Sequence, residues 1–348
     1  MMKAYGGFLR IVCFVMLLLL TGTSRAVAQQ DATADAATWT ERDFTVGSDE
    51  WALPGTLTLP AGDGPFAAVV LVHGSGALDR DETVLSNKPF RDLAHDLAAR
   101  GIAVLRYDKR NFAHSTKFGT VITRYTVADE TIDDAALAVE ALTATPSIAR
   151  DRIFVLGHSL GGMLVPRIAV AAPGAAGFIV LAGPTRPLEQ IIPEQLEYLA
   201  RLDGVVAPEE QAQIDGVRSL ATRMRSLEVK DAESSEWILG FPAAYWLDLR
   251  GYDPPEAAKA ITRPMLVLQG ERDYQVTMEE FGRWKAALDG RSHVNFKSYP
   301  TLNHLFMPGF GPGTPSEYYT PSNVAEEVVR DIADWIAGLV AKAPTASP

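Results

Sequence analysis

The sequence has 348 residues, 47% of them hydrophobic and 22% charged, with a formal net charge of −11 at pH 7. That composition is ordinary for a globular protein and excludes collagen-like and low-complexity chains. The acidity excludes a nucleic-acid binder, because phosphate contacts need clustered Lys and Arg.

The chain opens on a secretory signal. Lys3 and Arg10 precede an apolar stretch from Ile11 to Leu20, and Ala26-Val27-Ala28 supplies a small-x-small cleavage site. The stretch is too short for a transmembrane anchor, which needs about 20 apolar residues. Residues 1–28 are therefore expected to be removed after Ala28, leaving no stable membrane anchor and a periplasmic or secreted protein. The single cysteine, Cys13, lies inside the apolar stretch and not at a cleavage site, which argues against a lipoprotein. The exported chain would carry no disulfide, so its core must be large enough to stand alone.

The elements that follow alternate between strands and helices. Residues 29–38, rich in Ala, Asp and Thr, read as a flexible linker, and residues 343–348 as a disordered tail. Arg42 to Leu59 alternates weakly and contains Pro54-Gly55, consistent with an opening hairpin. Ala67 to Val72 is continuously apolar, as expected of a strand covered on both faces. Phe90 to Arg100 is an amphipathic helix stopped by Gly101, and Ile102 to Leu105 is the next strand. Thr126 to Leu142 reads as a helix, with Asp129, Glu130, Asp133 and Asp134 near its favourable N-terminal end. Further strands are expected at Ile153–Leu156, Phe178–Leu181, Met265–Leu268 and Val294–Tyr299, and a closing helix at Val324–Ala341. Pro166, inside the helix that follows the Ile153–Leu156 strand, is expected to kink it. The alternation predicts an α/β domain over residues 39–342, with a mostly parallel, doubly wound sheet. Ligands in such sheets bind beyond the carboxyl ends of the strands.

One segment breaks the pattern. Between Gly183 and Ile261 no clear strand is visible, while Pro187–Arg201 and Pro208–Leu227 read as helices. The segment is too long for a plain connection and predicts a helical lid at about residues 184–260. Its aromatics Phe241, Tyr245 and Trp246 either pack the lid onto the body or line an acyl pocket.

The chemistry is written at Gly157-His158-Ser159-Leu160-Gly161. This G-x-S-x-G follows an expected strand and precedes an expected helix, a context that pushes the Ser159 hydroxyl out at the sheet edge. A serine is a weak nucleophile without a base within hydrogen-bond reach. Of the six histidines, His304 is the best placed, on a loop just past the last strand and ahead of the closing helix. His73 and His158 flank glycines and read as supporting or structural; His95, His114 and His293 read as surface residues. A carboxylate must then fix the histidine tautomer. Asp273 follows the strand ending at Gln269 and has the usual offset from Gly270; Glu271 is its rival. The order Ser159, Asp273, His304 matches one serine-hydrolase fold and no other. The developing oxyanion needs backbone donors. Leu160, after the nucleophile, supplies one, and Ser75 in His73-Gly74-Ser75-Gly76 supplies the other.

With these residues in view, the chain resembles the α/β-hydrolase superfamily over nearly all of its length beyond the leader. The segments His73–Gly76, Asp79-Arg80-Asp81-Glu82-Thr83, Asn87–Phe90, Arg106–Arg110 and Tyr245–Pro254 are similar to the EstD-type bacterial carboxylesterases. The resemblance implies a catalytic triad of Ser159, Asp273 and His304, hydrolysis of small-molecule carboxylic esters, and no metal or organic cofactor. The aromatics of the lid predict short acyl chains. Two other functions stay open. One is a serine peptidase or amidase on the same fold, although the lid shows no obvious acidic pair for a peptide amine beyond Glu209 and Glu210, which stay open. The other is a non-catalytic binding protein, which would normally have lost part of the triad. No H-E-x-x-H, Cys/His cluster or strand-borne G-x-G-x-x-G points to a metal or dinucleotide. The sequence does not set the oligomeric state.

Overall fold

A computed structural model of the chain describes residues 38–118 and 124–342. The expected leader, most of the linker and the tail lie outside the described residues. The first strands, β1 (Trp39–Val46) and β2 (Leu53–Pro60), pair antiparallel with Val46 opposite Leu53. The hairpin exists, but its turn spans residues 47–52. Pro54 and Gly55 sit inside β2, where a side chain on Gly55 would lie 2.8 Å from the Arg106 carbonyl. Gly55 is therefore a close-approach residue in a strand, not a turn former.

The body continues as β3 (Phe66–Val72), α1 (Pro89–Ala98), β4 (Ile102–Tyr107) and the single-turn α2 (Arg110–Ala113). A π-helical turn, Ala128–Ile132, then leads into α3 (Asp133–Thr143). The expected Thr126–Leu142 helix is thus split by wider turns, which bury Glu130 completely. Next come β5 (Ile148–His158), α4 (Leu160–Ala171) and β6 (Gly177–Leu181). Pro166 lies inside α4, which continues across it to Ala171.

The segment between β6 and β9 is largely helical. It contains α5 (Leu188–Ala200), α6 (Pro208–Ser226), a two-residue strand pair β7 (Trp237–Ile238) and β8 (Phe241–Pro242), α7 (Ala243–Leu249) and α8 (Pro254–Ala258). The chain then returns to the sheet as β9 (Met265–Gly270), α9 (Met278–Leu288), β10 (Val294–Tyr299) and α10 (Glu326–Lys342).

The sheet has eight strands in the order β1-β2-β4-β3-β5-β6-β9-β10. All neighbours from β4 to β10 run parallel; β1 and β2 form an antiparallel edge. Alternation along β3 divides the core. Ala68, Val70 and Val72 pack with Ala135 and Ala138 of α3 and Leu164 of α4 on one face. Val69 and Leu71 pack with Leu93 and Leu97 of α1 and Val329 and Ile332 of α10 on the other. Both faces are covered, which is why the central strands read as continuous apolar runs and not as alternating ones. The strand order reverses direction around β3 and β5, and loops at their carboxyl ends open into a crevice there.

Candidate active site

The strand β5 hands directly to α4 at Ser159, whose φ of 51° and ψ of −116° are unusual for a residue with a side chain. Such a conformation costs on the order of 1–3 kcal/mol and persists only where the surroundings enforce it. The glycines around it allow the turn. A side chain on Gly157 would collide with the Gly161 carbonyl, and one on Gly161 with the Val72 carbonyl. Any larger residue at either position would force the elbow apart. The Ser159 amide is held by the Leu181 carbonyl at 2.9 Å.

Ser159 and His304 line one cavity of about 130 Å³ at the carboxyl edge of the sheet. Behind His304, its Nδ1 lies 2.7 Å from Asp273 Oδ2. Asp273 is fully engaged: Oδ1 accepts from the Gln275 and Val276 amides at 2.8 and 2.9 Å, and Oδ2 also accepts from Gln269 Nε2 at 3.1 Å. Four partners on two oxygens fix the direction of the carboxylate. Asp273 and His304 are both buried. The rival acid Glu271 points away, accepting the Ser298 hydroxyl at 2.7 Å on the surface. The loop that carries His304 is set by Asn303, whose side-chain oxygen accepts from the Leu305 and Met307 amides at 3.0 and 3.2 Å.

The two expected oxyanion donors also meet here. Leu160 is the first residue of α4, where the N–H has no intrahelical acceptor. Ser75 lines the cavity, and among the described residues its N–H has no acceptor. Gly74 comes so close to the nucleophile that a side chain there would lie 3.1 Å from Ser159 Cβ. The Gly74 N–H is not available to a substrate, because it donates to Glu82 Oε1 at 2.7 Å.

The remaining histidines divide as their contacts dictate. His73 Nε2 donates to the Asp79 carbonyl at 3.0 Å, and burial lowers its pKa to about 4, so it stays neutral. His158 Nε2 lies 2.9 Å from the His304 carbonyl, which can only accept, so this nitrogen carries a proton. Its Nδ1 lies 2.9 Å from Glu82 Oε2, a close ion pair without well-aligned hydrogen-bond geometry. Burial works against charge on the His158 ring, but the Glu82 carboxylate outweighs it and raises the pKa. Burial likewise opposes charge on Glu82, and His158 outweighs it and lowers that pKa. Both directions describe an imidazolium–carboxylate pair. His95, His114 and His293 sit away from the cavity, on Glu41, the Ala52 carbonyl and the Ile261 carbonyl.

The cavity wall differs from the sequence expectation. Phe241, Tyr245 and Trp246 do not line it. They stack on one another and bury themselves in the core, with the Tyr245 hydroxyl donating to Glu130 at 3.2 Å and the Trp246 indole to the Ile238 carbonyl at 2.9 Å. Of their two possible places, the packing role is the one observed. The wall is built instead by α5, where Leu188, Ile191, Ile192 and Gln195 recur at helical spacing and face the cavity together. That spacing was visible in the sequence; which face it would present was not.

The Asp79–Thr83 segment, whose role the sequence left open, is a polar staple on the end of β4. Asp79 accepts from the Thr83 amide and hydroxyl at 2.9 and 2.7 Å. Arg80 grips Asp108 through two parallel bonds of 2.9 Å, and Asp81 pairs with Arg106 and Lys88. These contacts deliver Glu82, at a φ of 51°, beneath Gly74. Among the described residues no cluster of three metal-ligating side chains occurs.

Comparison with known proteins places the chain. Residues 63–308 match the family described as serine aminopeptidase, S33. The chain belongs to this family of α/β-hydrolases. It is 42% identical over 302 residues to Esterase EstD of Thermotoga maritima, covering 87% of this chain and 68% of that protein. A monoacylglycerol lipase of Mycolicibacterium smegmatis is 26% identical over 248 residues, 69% of this chain and 81% of the relative. Among solved structures, Est1E of Butyrivibrio proteoclasticus with bound ferulic acid superposes with a TM-score of 0.55 at 15% identity, over 86% of this chain and 100% of the other. The α/β hydrolase GrgF of Penicillium gives the same TM-score at 16% identity, over 87% and 99%. At those identities the structural likeness speaks for the fold alone, an eight-stranded, mostly parallel α/β-hydrolase sheet with flanking helices.

Proposed function

We propose that the chain is a serine carboxylesterase in which Ser159, His304 and Asp273 form the catalytic triad. The observation that carries the reading is the buried Asp273–His304 contact of 2.7 Å beside a strained Ser159 in one cavity. Kinship with Esterase EstD makes the enzyme a carboxylesterase-type hydrolase. In the acylation step, the Ser159 oxygen attacks the ester carbonyl carbon while its proton passes to His304 Nε2. Asp273 stabilises the resulting imidazolium. The carbonyl oxygen becomes an oxyanion, which the Ser75 and Leu160 N–H groups receive. Collapse breaks the bond to the alkoxy oxygen, which leaves as the alcohol with the proton from His304. Water then repeats the sequence on the acyl-enzyme, releasing the acid and restoring Ser159.

The cavity supports small acyl groups. Drug-sized ligands occupy roughly 300–1,000 Å³, against about 130 Å³ here. Leu188, Ile191 and Ile192 of α5, with Val276 and Leu305, set that limit. On this reading α5, within the expected lid segment, is the part that covers the site. The family description favours a second reading, an aminopeptidase. An aminopeptidase needs an acid in the cavity to hold the substrate ammonium. Among the described lining residues Glu82 is the one carboxylate, and Gly74 and His158 already engage it. Glu210 caps its own helix by accepting from the Ala207 amide at 2.9 Å. The ester reading is therefore preferred over the peptide one.

The basic, apolar and small-x-small segments of residues 1–28 support export, with cleavage after Ala28. N-terminal sequencing of the protein recovered from the producing cell tests this; a chain still starting at Met1 would contradict it. A panel of p-nitrophenyl esters and aminoacyl p-nitroanilides tests the activity. Turnover of acetate to hexanoate esters, with anilides slower by several powers of ten, is the expected result. Faster anilides would overturn it.

A further inference from the structure

Three buried ionisable side chains take no part in the triad, Glu82 in the cavity wall and Lys109 and Glu130 behind it, each at most 2% exposed. Two of them grip the same residue from opposite sides. Glu82 Oε1 accepts from the Gly74 N–H at 2.7 Å, and Lys109 Nζ donates to the Gly74 carbonyl at 2.8 Å. The Gly74 carbonyl belongs to the peptide unit whose other end is the Ser75 N–H. In a trans peptide the C=O and N–H point in opposite directions. A cation that fixes the carbonyl on the buried side therefore turns the Ser75 N–H to the other side. By drawing electron density toward the carbonyl oxygen, the ammonium also makes that N–H a stronger donor.

We propose that Lys109 is a positioning residue for the oxyanion hole, clamping the Gly74–Ser75 peptide so that the Ser75 N–H is aimed and polarised before substrate arrives. The proposal rests on the assignment of Ser159 as nucleophile and Ser75 as oxyanion donor. Glu82 completes the clamp by occupying the competing Gly74 N–H. Through His158 it also ties the clamp to the residue before Ser159 and, by way of the His304 carbonyl, to the histidine loop. Lys109 is itself held. Its ammonium lies 3.4 Å from Glu130 Oε2, and Glu130 accepts from the Tyr245 hydroxyl at 3.2 Å. The wide π turn at Ala128–Ile132 carries Glu130 to this point. A buried lysine is expensive and is rarely kept without a partner. Here one of its contacts is a neutral carbonyl on a loop beside the nucleophile, where an apolar side chain would pack without cost in charge.

Lys109→Met tests the clamp, with Lys109→Met/Glu130→Gln as the companion that removes both buried charges should the single variant fail to fold. Preorganised donors act on the oxyanion and not on the ground-state carbonyl, so the effect belongs in kcat. Misplacing such a donor by about 1 Å can cost on the order of 10²-fold. The expected result is a kcat loss of about tenfold to hundredfold with KM changed less than about threefold. A short-chain trifluoromethyl ketone, which forms a tetrahedral adduct with the serine, loses affinity by the same factor. The matching unreactive ether binds as before. A kcat within twofold of wild type, or a kcat loss with unchanged ketone affinity, overturns the clamp while leaving the triad intact. If the wild-type enzyme forms no ketone adduct at Ser159, the nucleophile assignment falls and the clamp with it.

Discussion

Asp273→Asn is the substitution whose outcome the geometry specifies most fully. Each Asp273 oxygen faces two donors: Oδ1 the Gln275 and Val276 amides, Oδ2 Gln269 Nε2 and His304 Nδ1. An amide offers one oxygen and one NH₂, so one pair of donors must meet another donor. Turning the NH₂ toward the backbone would leave two buried N–H groups unsatisfied at about 1–3 kcal/mol each. Turning it toward His304 costs less, because the ring can switch tautomer and accept at Nδ1. His304 Nε2 then carries the proton and cannot take one from Ser159. The expected loss in kcat is on the order of 10⁴, equivalent to about 5 kcal/mol of transition-state stabilisation. Stability falls by less than about 1.5 kcal/mol, because Gln269 Nε2 keeps the Val276 and Gly270 carbonyls at 2.8 and 3.1 Å as acceptors. Steady-state kinetics on p-nitrophenyl butyrate between pH 6 and 9, with urea unfolding alongside, reads both numbers. Glu271→Gln, which touches only the surface Ser298 hydroxyl, should change kcat less than about twofold. Activity within tenfold of wild type for Asp273→Asn, or an equal loss for Glu271→Gln, would refute the reasoning.

Ile192→Ala should open the α5 wall and move the preferred acyl chain upward by about two carbons, each buried methylene adding about 0.8 kcal/mol; an unmoved chain-length profile would place the acyl group elsewhere. Phe241→Leu should lower stability by roughly 1–3 kcal/mol while leaving that profile alone, since the ring packs on Tyr245 away from the cavity. His73, lowered by burial to about 4, binds its proton more readily in the unfolded chain. Its contribution is therefore present above pH 6.5 and lost as pH falls toward 4, whereas Asp134, raised by burial to about 6, has the opposite slope. In His73→Gln the drop in unfolding free energy between pH 7 and pH 4 should shrink by roughly 3 kcal/mol; an unchanged drop in urea titrations would show that His73 is not held neutral.

How much could be read from the sequence differs from residue to residue, for physical reasons. Ser159 was legible because a strand, two close-approach glycines and a helix leave only one local geometry. His304 and Asp273 were legible from their places after β10 and β9, since loops at one sheet edge must converge. The parallel core was legible from unbroken apolar runs. Phe241, Tyr245 and Trp246 were ambiguous because aromatic composition describes a pocket and a core equally well. Only the packing of α7 against the body decided between them. The hairpin turn was drawn to Pro54-Gly55 because those residues favour turns, yet tertiary contact with Arg106 placed them in β2. Glu82, Lys109 and Glu130 were invisible as a group. Each looks like a solvated charge in its own segment, and only the sheet brings the three loops behind Gly74.

The central claim is that Ser159 becomes acylated during turnover. A fluorophosphonate probe added to the purified enzyme, followed by peptide mass spectrometry, tests it directly. The account predicts a single adduct on the peptide containing Ser159. The adduct is absent in Ser159→Ala, whose kcat falls by at least about three powers of ten. Labelling of a different serine with Ser159 unmodified, or a Ser159→Ala enzyme that keeps its rate, would contradict it.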